Sequence, residues 1–185
     1  MHNRGCFLTE LIEFLDAHGS TLLKLLYRVT LREDVAEDLL QELFLKLKAS
    51  AGFRTATCPF AYARRTALHL AFDWRRNQFD LPGTASTNEE LSDVQPSPLE
   101  NLVEAERIQA VLDAMTGLSP RSRELLSMHY IEQQSYETLA QGYRKTPHQI
   151  RALCHKALVQ LRALLAETPY ASELEEDHER PRDVR

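Results

Sequence analysis

The residues best suited to chemistry lie towards the C-terminal end. Arg144 and Lys145 stand in a short break, and Arg151, His155, Lys156 and Arg162 follow on a segment of helical spacing opened by Thr146-Pro147-His148-Gln149. Thr146 can cap a helix, Pro147 suits a first turn, and Gln149 stands at the third position of a capping box. A short helix is expected before it, over residues 135–142, capped by Ser135. Ala140 is small where the two helices must approach, and Ile150 is apolar where the second packs back on the first. These are helix-turn-helix proportions. A basic helix with a preorganised N-terminus can enter a major groove, read base edges and grip phosphates. A plain helical hairpin with a solvated basic face has the same local pattern.

A second constellation lies in the first half. Arg64, Arg65, Arg75 and Arg76 share a segment with Tyr62, Phe72 and Trp74. Basic and aromatic groups together suit unstacked bases and phosphates; a core Trp74 beside solvated arginines is the alternative. Catalysis has no comparable support. His129 has Glu124 and Glu132 for neighbours, but there is no Gly-rich phosphate loop, nucleophile elbow or paired-carboxylate pocket, so no enzyme activity is expected. His148 and His155 are seven residues apart, two helical turns, which is too far for a compact ligand pair. Cys6, Cys58 and Cys154 are odd in number, widely spaced and without a C-x-x-C pair. Reduced thiols are expected, with no metal, disulfide or cofactor.

The elements that must carry these groups read as helices. Leu8, Leu11, Ile12 and Leu15 begin an apolar face over residues 7–30, with a break or kink at His18-Gly19-Ser20. Ala36, Leu40, Leu43 and Leu47 stripe a helix over residues 33–50, acidic at its start and basic at its end, the polarity a helix dipole favours. Residues 51–58 read as a loop. Residues 60–76 form a third helix with Ala63, Ala67, Leu70, Ala71 and Trp74 inward. Further helices are expected over residues 102–116, from Ser119-Pro120 through Tyr130, and from Thr146 to Glu167.

Charge divides the chain more sharply than its net value of −5 suggests. Residues 54–76 are basic, 78–106 acidic, 144–162 basic, and the tail acidic again. The turn-rich stretch Leu81-Pro82-Gly83 and Gln95-Pro96-Ser97-Pro98 marks a linker. The expected fold is all-α: two small helical domains, residues 1–77 and 99–170, joined by a flexible acidic linker over 78–98, with a charged, disordered tail at 171–185. No apolar run approaches the roughly 18 residues of a membrane span, and the N-terminus lacks a signal-peptide core. No membrane insertion and a cytoplasmic location are expected.

With these segments in order, the chain resembles the ECF (extracytoplasmic-function) sigma factors of bacterial RNA polymerase. Ala36-Glu37-Asp38-Leu39-Leu40-Gln41-Glu42-Leu43-Phe44-Leu45-Lys46-Leu47 is similar to their A-E-D-L-V-Q-E-x-F-x-x-L signature. Pro59, Ala61, Tyr62, Arg65, Ala67, Leu70, Ala71, Asp73 and Arg76 follow the next helix of the family, Leu118 to Glu124 its L-P-x-x-x-R-E opening, and Ser135 to Ala140 its S-Y-x-E-I-A helix. The resemblance implies a promoter-recognition subunit. Asp38, Leu39, Gln41, Glu42 and Phe44 would bind the polymerase clamp helices. Phe53, Arg54, Arg64, Arg65, Arg75 and Arg76 would serve recognition and melting of the −10 element. Arg144, Lys145, His148, Gln149, Arg151, His155 and Lys156 would bind the −35 element, and the same domain would contact the flap. An anti-sigma protein is an implied partner. The runner-up is a helix-turn-helix regulator that does not engage polymerase. The sequence departs from the family at Arg144, where the turn usually has Gly, at Leu153, where a basic residue is frequent, and at Leu68-His69, where Arg-Asn is common.

Overall fold

A computed structural model describes residues 3–79 and 98–166. The chain divides into two compact units, Met1–Glu89 and Glu90–Arg185. All regular structure among the described residues is helical. Of the expected linker, Gln78 and Phe79 are helical and Pro98 opens a helix; the rest of it, and the tail at 171–185, lie outside the described residues.

The first unit comprises α1 (Asn3–Thr30), α2 (Glu33–Ala49), α3 (Ala51–Arg54) and α4 (Pro59–Phe79). The helices α1, α2 and α4 pack on one another in all three pairings. Leu22, Leu25, Leu26 and Val29 of α1, Ala36, Leu39, Leu43 and Leu47 of α2, and Ala63, Ala67, Leu68, Ala71 and Phe72 of α4 form the core. The expected break at His18-Gly19-Ser20 is absent, for α1 runs through it. An interior Gly costs about 1 kcal/mol in helix propensity, and the core contacts on the C-terminal side of Gly19 outweigh that. His18 is itself held by rings, 4.9 Å from Phe14 and 4.8 Å from Phe60 between centroids.

The ends of α1 and α2 make a tight corner. Leu31 takes a left-handed conformation (φ 58°) and its N–H donates to the Tyr27 carbonyl at 2.7 Å. Thr30 Oγ1 donates to Leu26 O at 3.0 Å, and the Arg75 Nε of α4 donates to Val29 O at 2.5 Å. The Tyr27 and Val29 carbonyls, in the last turn of α1, are thereby satisfied from outside the helix.

Part of the expected loop is the short helix α3. Ser50 caps it, accepting from Phe53 N at 3.1 Å, and its Oγ also bonds the Tyr62 hydroxyl at 2.8 Å. A Cβ at Gly52 would stand 3.1 Å from that hydroxyl, so the close approach of α3 to α4 depends on this glycine.

The second unit comprises α5 (Pro98–Thr116), α6 (Pro120–Leu126), a π-helical turn (Ser127–Ile131), α7 (Tyr136–Tyr143) and α8 (Pro147–Ala166). Helix α8 is the hub, with α5, α6 and α7 all packed on it. Its Ile150, Cys154, Ala157, Leu161 and Leu165 recur at helical spacing and are buried. Leu112, Met115, Leu118, Leu125, Leu126, Leu139 and Ala140 meet them from the other elements. Ser119 caps α6 by accepting from Ser122 N at 3.2 Å, with Pro120 in the first turn. The Arg123 guanidinium is buried and donates to the carbonyls of Thr116 and Leu118 at 3.2 and 3.1 Å.

Candidate nucleic-acid interface

The turn between α7 and α8 is built by local chemistry. Ser135 opens α7, its Oγ accepting from Thr138 N at 3.1 Å. Arg144 ends it at φ 52°, ψ 48°, the left-handed region, and the N–H of Lys145 reaches back to Ala140 O at 2.9 Å. The position usually filled by Gly in the resembled family is thus left-handed here with a side chain on it, at a cost of about 1 kcal/mol. Thr146 and Gln149 form a reciprocal capping box: Gln149 N donates to Thr146 Oγ1 at 3.2 Å, and Thr146 N donates to Gln149 Oε1 at 3.0 Å. Ala140 and Ile150 are both buried on these two packed helices.

Helix α8 then presents His148, Arg151, His155, Lys156 and Arg162 to solvent, with Arg144 exposed in the turn and Lys145 half-buried. Arg151 lies with its guanidinium carbon 5.3 Å from the centroid of the Tyr136 ring. Gln149 is exposed but committed to the cap. Lys156 also lines a cavity of about 500 Å³ together with Leu118, Arg121, Leu125, Tyr143, Leu153 and Leu164. Leu153 therefore belongs to that cavity, on a different flank of α8 from His148 and His155. Burial raises the Cys154 thiol above its ordinary value of 9.0. Among the described residues no group of three potential metal ligands converges.

In the first unit the expected basic face separates into a surface part and a core part. Arg54 and Arg65 are exposed, and Arg76 is exposed while paired with Asp73 at 2.7 Å. Arg65, His69, Asp73 and Arg76 follow one another along the open side of α4. Arg75, by contrast, is 2% exposed and holds the Val29 carbonyl. Arg64 is 8% exposed, its guanidinium 5.8 Å from the Phe60 centroid. Phe53 is buried too, within 5.3 Å of Phe14 and 6.0 Å of Tyr62 between centroids. Phe53, Arg64 and Arg75, expected as DNA contacts, are thus packed residues of α3 and α4 in this fold, while Arg54, Arg65 and Arg76 stand at the surface. Of the aromatics, Phe72 is core, Tyr62 is tied to Ser50, and Trp74 is partly exposed. Leu68 is also core, so its departure from the family pattern does not reach the surface, whereas His69 does.

The outward face of α2 holds Asp38, Gln41 and Glu42, all exposed, with Glu42 bonded to Lys46 at 3.1 Å. Leu39 is buried and Phe44 half-buried. On the same side of the helix, one turn beyond Gln41, stands Leu45, 61% exposed. The sequence reading missed it, although its spacing from Asp38 and Gln41, seven and four residues, was a usable signal. At the start of the helix, hydrogen bonding from Arg32 holds the Asp34 carboxyl below its usual range. An acidic face around one exposed leucine on the first unit and a basic helix on the second are surfaces of opposite charge on separate units.

Residues 14–79 match the family Sigma-70 region 2, and residues 114–163 match Sigma-70, region 4. The chain is 29% identical over 119 residues to the probable RNA polymerase sigma factor RfaY of Xanthomonas campestris pv. campestris, covering 60% of this chain and 30% of that protein. It is 26% identical over 153 residues to the ECF RNA polymerase sigma factor BldN of Streptomyces coelicolor, covering 81% and 58%. To the ECF RNA polymerase sigma factor SigX of Bacillus subtilis it is 24% identical over 153 residues, covering 80% and 79%. The chain thus spans less than two thirds of the length of two of these relatives.

Proposed function

Since the chain belongs to the ECF sigma factors, with a sigma-70 region 2 followed by a region 4, we propose that it binds core RNA polymerase and directs it to specific promoters. It is an initiation factor and not an enzyme. The observation that carries the reading is the order of the two regions, each with an exposed face of suitable charge. In this reading the α2 face of Asp38, Gln41, Glu42 and Leu45 docks on the clamp helices, where acidic groups steer and an apolar centre anchors. Arg54, Arg65, His69 and Arg76, with Trp74, serve the −10 element as it opens. Helix α8 enters the −35 major groove with Arg144, His148, Arg151 and His155, and the second unit also meets the flap. Residues 78–98 join the two domains as a linker, and an anti-sigma protein covers one or both surfaces until it is released. The protein acts where polymerase and chromosome meet, in the cytoplasm; no helix among the described residues is long and apolar enough to cross a membrane.

The test is co-purification of the tagged chain with core polymerase. Stoichiometric binding is expected, with loss in the Asp38/Gln41/Glu42 triple alanine variant. Leu45→Ala removes a methyl-rich side chain from the interface centre and is expected to weaken binding about five- to tenfold. Wild-type chain that fails to bind core polymerase, with any anti-sigma protein removed, would leave a helix-turn-helix DNA-binding protein.

A further inference from the structure

One group of ring contacts in the second unit converges on a single basic side chain of α8. The π-helical turn ends at Ile131, and Gln133 follows in the left-handed region (φ 56°). This reversal is closed by Gln134 N donating to Met128 O at 3.0 Å. It brings His129 against Tyr136, the first residue of α7, with ring centroids 4.2 Å apart and planes inclined by 24°. The His129 ring is itself fixed, because Nδ1–H donates to the Gln134 carbonyl at 2.7 Å. That bond requires the proton on Nδ1 and leaves little rotation about the ring. Tyr130 closes the edge of the group, 4.7 Å from His129 between centroids. The exposed Arg151 of α8 then places its guanidinium 5.3 Å from the Tyr136 centroid.

We infer that Tyr136, backed by His129, is a positioning residue that holds the Arg151 guanidinium ready for DNA on the face of α8. The inference rests on the reading of α8 as the helix that enters the groove. A long arginine on a bare helix must be ordered when it binds a base edge or phosphate, and that ordering opposes binding. A planar guanidinium settled on an aromatic face is ordered beforehand, and its fork of donors remains directed outwards. The imidazole stacked on Tyr136 keeps the ring from turning away. The π-helical turn, a rare element frequent at functional sites, is what sets His129 at the required place.

The experiment uses the full chain bound to core polymerase and a randomised duplex pool, from which the preferred upstream duplex is selected and its affinity measured. Arg151→Ala is expected to weaken that duplex and relax the preference at one position. Tyr136→Leu, which keeps bulk but loses the aromatic face, is expected to weaken it about two- to fivefold, while Tyr136→Phe binds as wild type. In the Arg151→Ala background Tyr136→Leu is expected to cost nothing further. Arg151→Lys sits on an exposed site, keeps the charge and loses the stacking plane, so it is expected to bind about as weakly as Tyr136→Leu. It serves as the test even if Tyr136→Leu fails to fold. An equal loss from Tyr136→Leu with and without Arg151, or wild-type affinity in Arg151→Lys, overturns the inference. Wild-type affinity and preference in Arg151→Ala would instead overturn the reading of Arg151 as a DNA contact, and the inference with it.

Discussion

Arg75 belongs to the packing of the first unit. It is 2% exposed, and its Nε donates at 2.5 Å to Val29 O, in the last turn of α1. The negative end of the helix dipole lies there, so the charge is favoured as well as the bond. Arg75→Ala removes a charge-assisted hydrogen bond, leaves a buried carbonyl without that donor and empties the space of the side-chain stem. Hydrogen bonds to charged groups contribute about 1.5–3 kcal/mol, and the orphaned acceptor adds to the loss, so a destabilisation of about 2–4 kcal/mol is expected. The assay follows from the sequence, which has a single tryptophan, Trp74, on α4 beside Arg75. Its fluorescence during urea unfolding reports on the first unit alone. For a unit of this size the denaturant slope is about 1 kcal/mol per molar urea, and the midpoint should fall by about 2–4 M. The neighbouring Arg76, exposed and paired only at the surface with Asp73 in the contact described above, provides the control. Arg76→Ala should move the midpoint by less than about 1 M, since surface pairs contribute about 0–1 kcal/mol. An Arg75→Ala protein with an unchanged midpoint but impaired promoter opening would refute the packing argument and return Arg75 to the DNA.

Further outcomes concern the α7–α8 turn and the two thiols Cys58 and Cys154. Arg144→Gly relieves a left-handed residue with a side chain and is expected to stabilise the α7–α8 turn by about 0.5–1 kcal/mol, read as slower amide exchange in those helices. If Arg144 also meets a phosphate, the same variant lowers the slope of log affinity against log salt by about 0.9. For Cys154, burial holds the folded thiol above 9.0, so the unfolded chain loses its proton first as the solution becomes alkaline. The second unit should therefore keep its full stability below that value and lose some as pH rises through it, a loss that Cys154→Ala removes. Tyr130, raised above 10.0 by burial and by Tyr136, adds to the trend at higher pH. In native protein near neutral pH, alkylation mapped by mass spectrometry should find the exposed Cys58 modified and the buried Cys154 protected; equal labelling would contradict the packing of α8.

The amino-acid sequence by itself determined the features that depend on neighbours a few residues apart. The caps at Ser119, Ser135 and Thr146 and the box closed by Gln149 are local, and each stands where the sequence places it. The apolar period likewise identified helices α1, α2, α4 and α8, and the order of motifs identified the family. Local pattern did not reach the questions that a second helix answers. Leu39 is buried and Leu40 only half-buried because the direction from which α1 and α4 approach selects the inward side of α2. Gly19 does not break α1, because contacts made beyond it outweigh its propensity. Arg64, Arg65, Arg75 and Arg76 look alike in the sequence, yet Arg75 finds the carbonyl end of α1 and Arg64 lies buried near Phe60. Phe53 leaves the surface because Phe14 and Tyr62 enclose it, and Leu45 stays exposed beside Gln41 and Glu42 because no described residue of its unit covers it. Capping and periodicity are set within one turn of chain, whereas burial depends on which surfaces meet across tens of residues. The tertiary structure alone decided which arginines are packed and which remain on the surface.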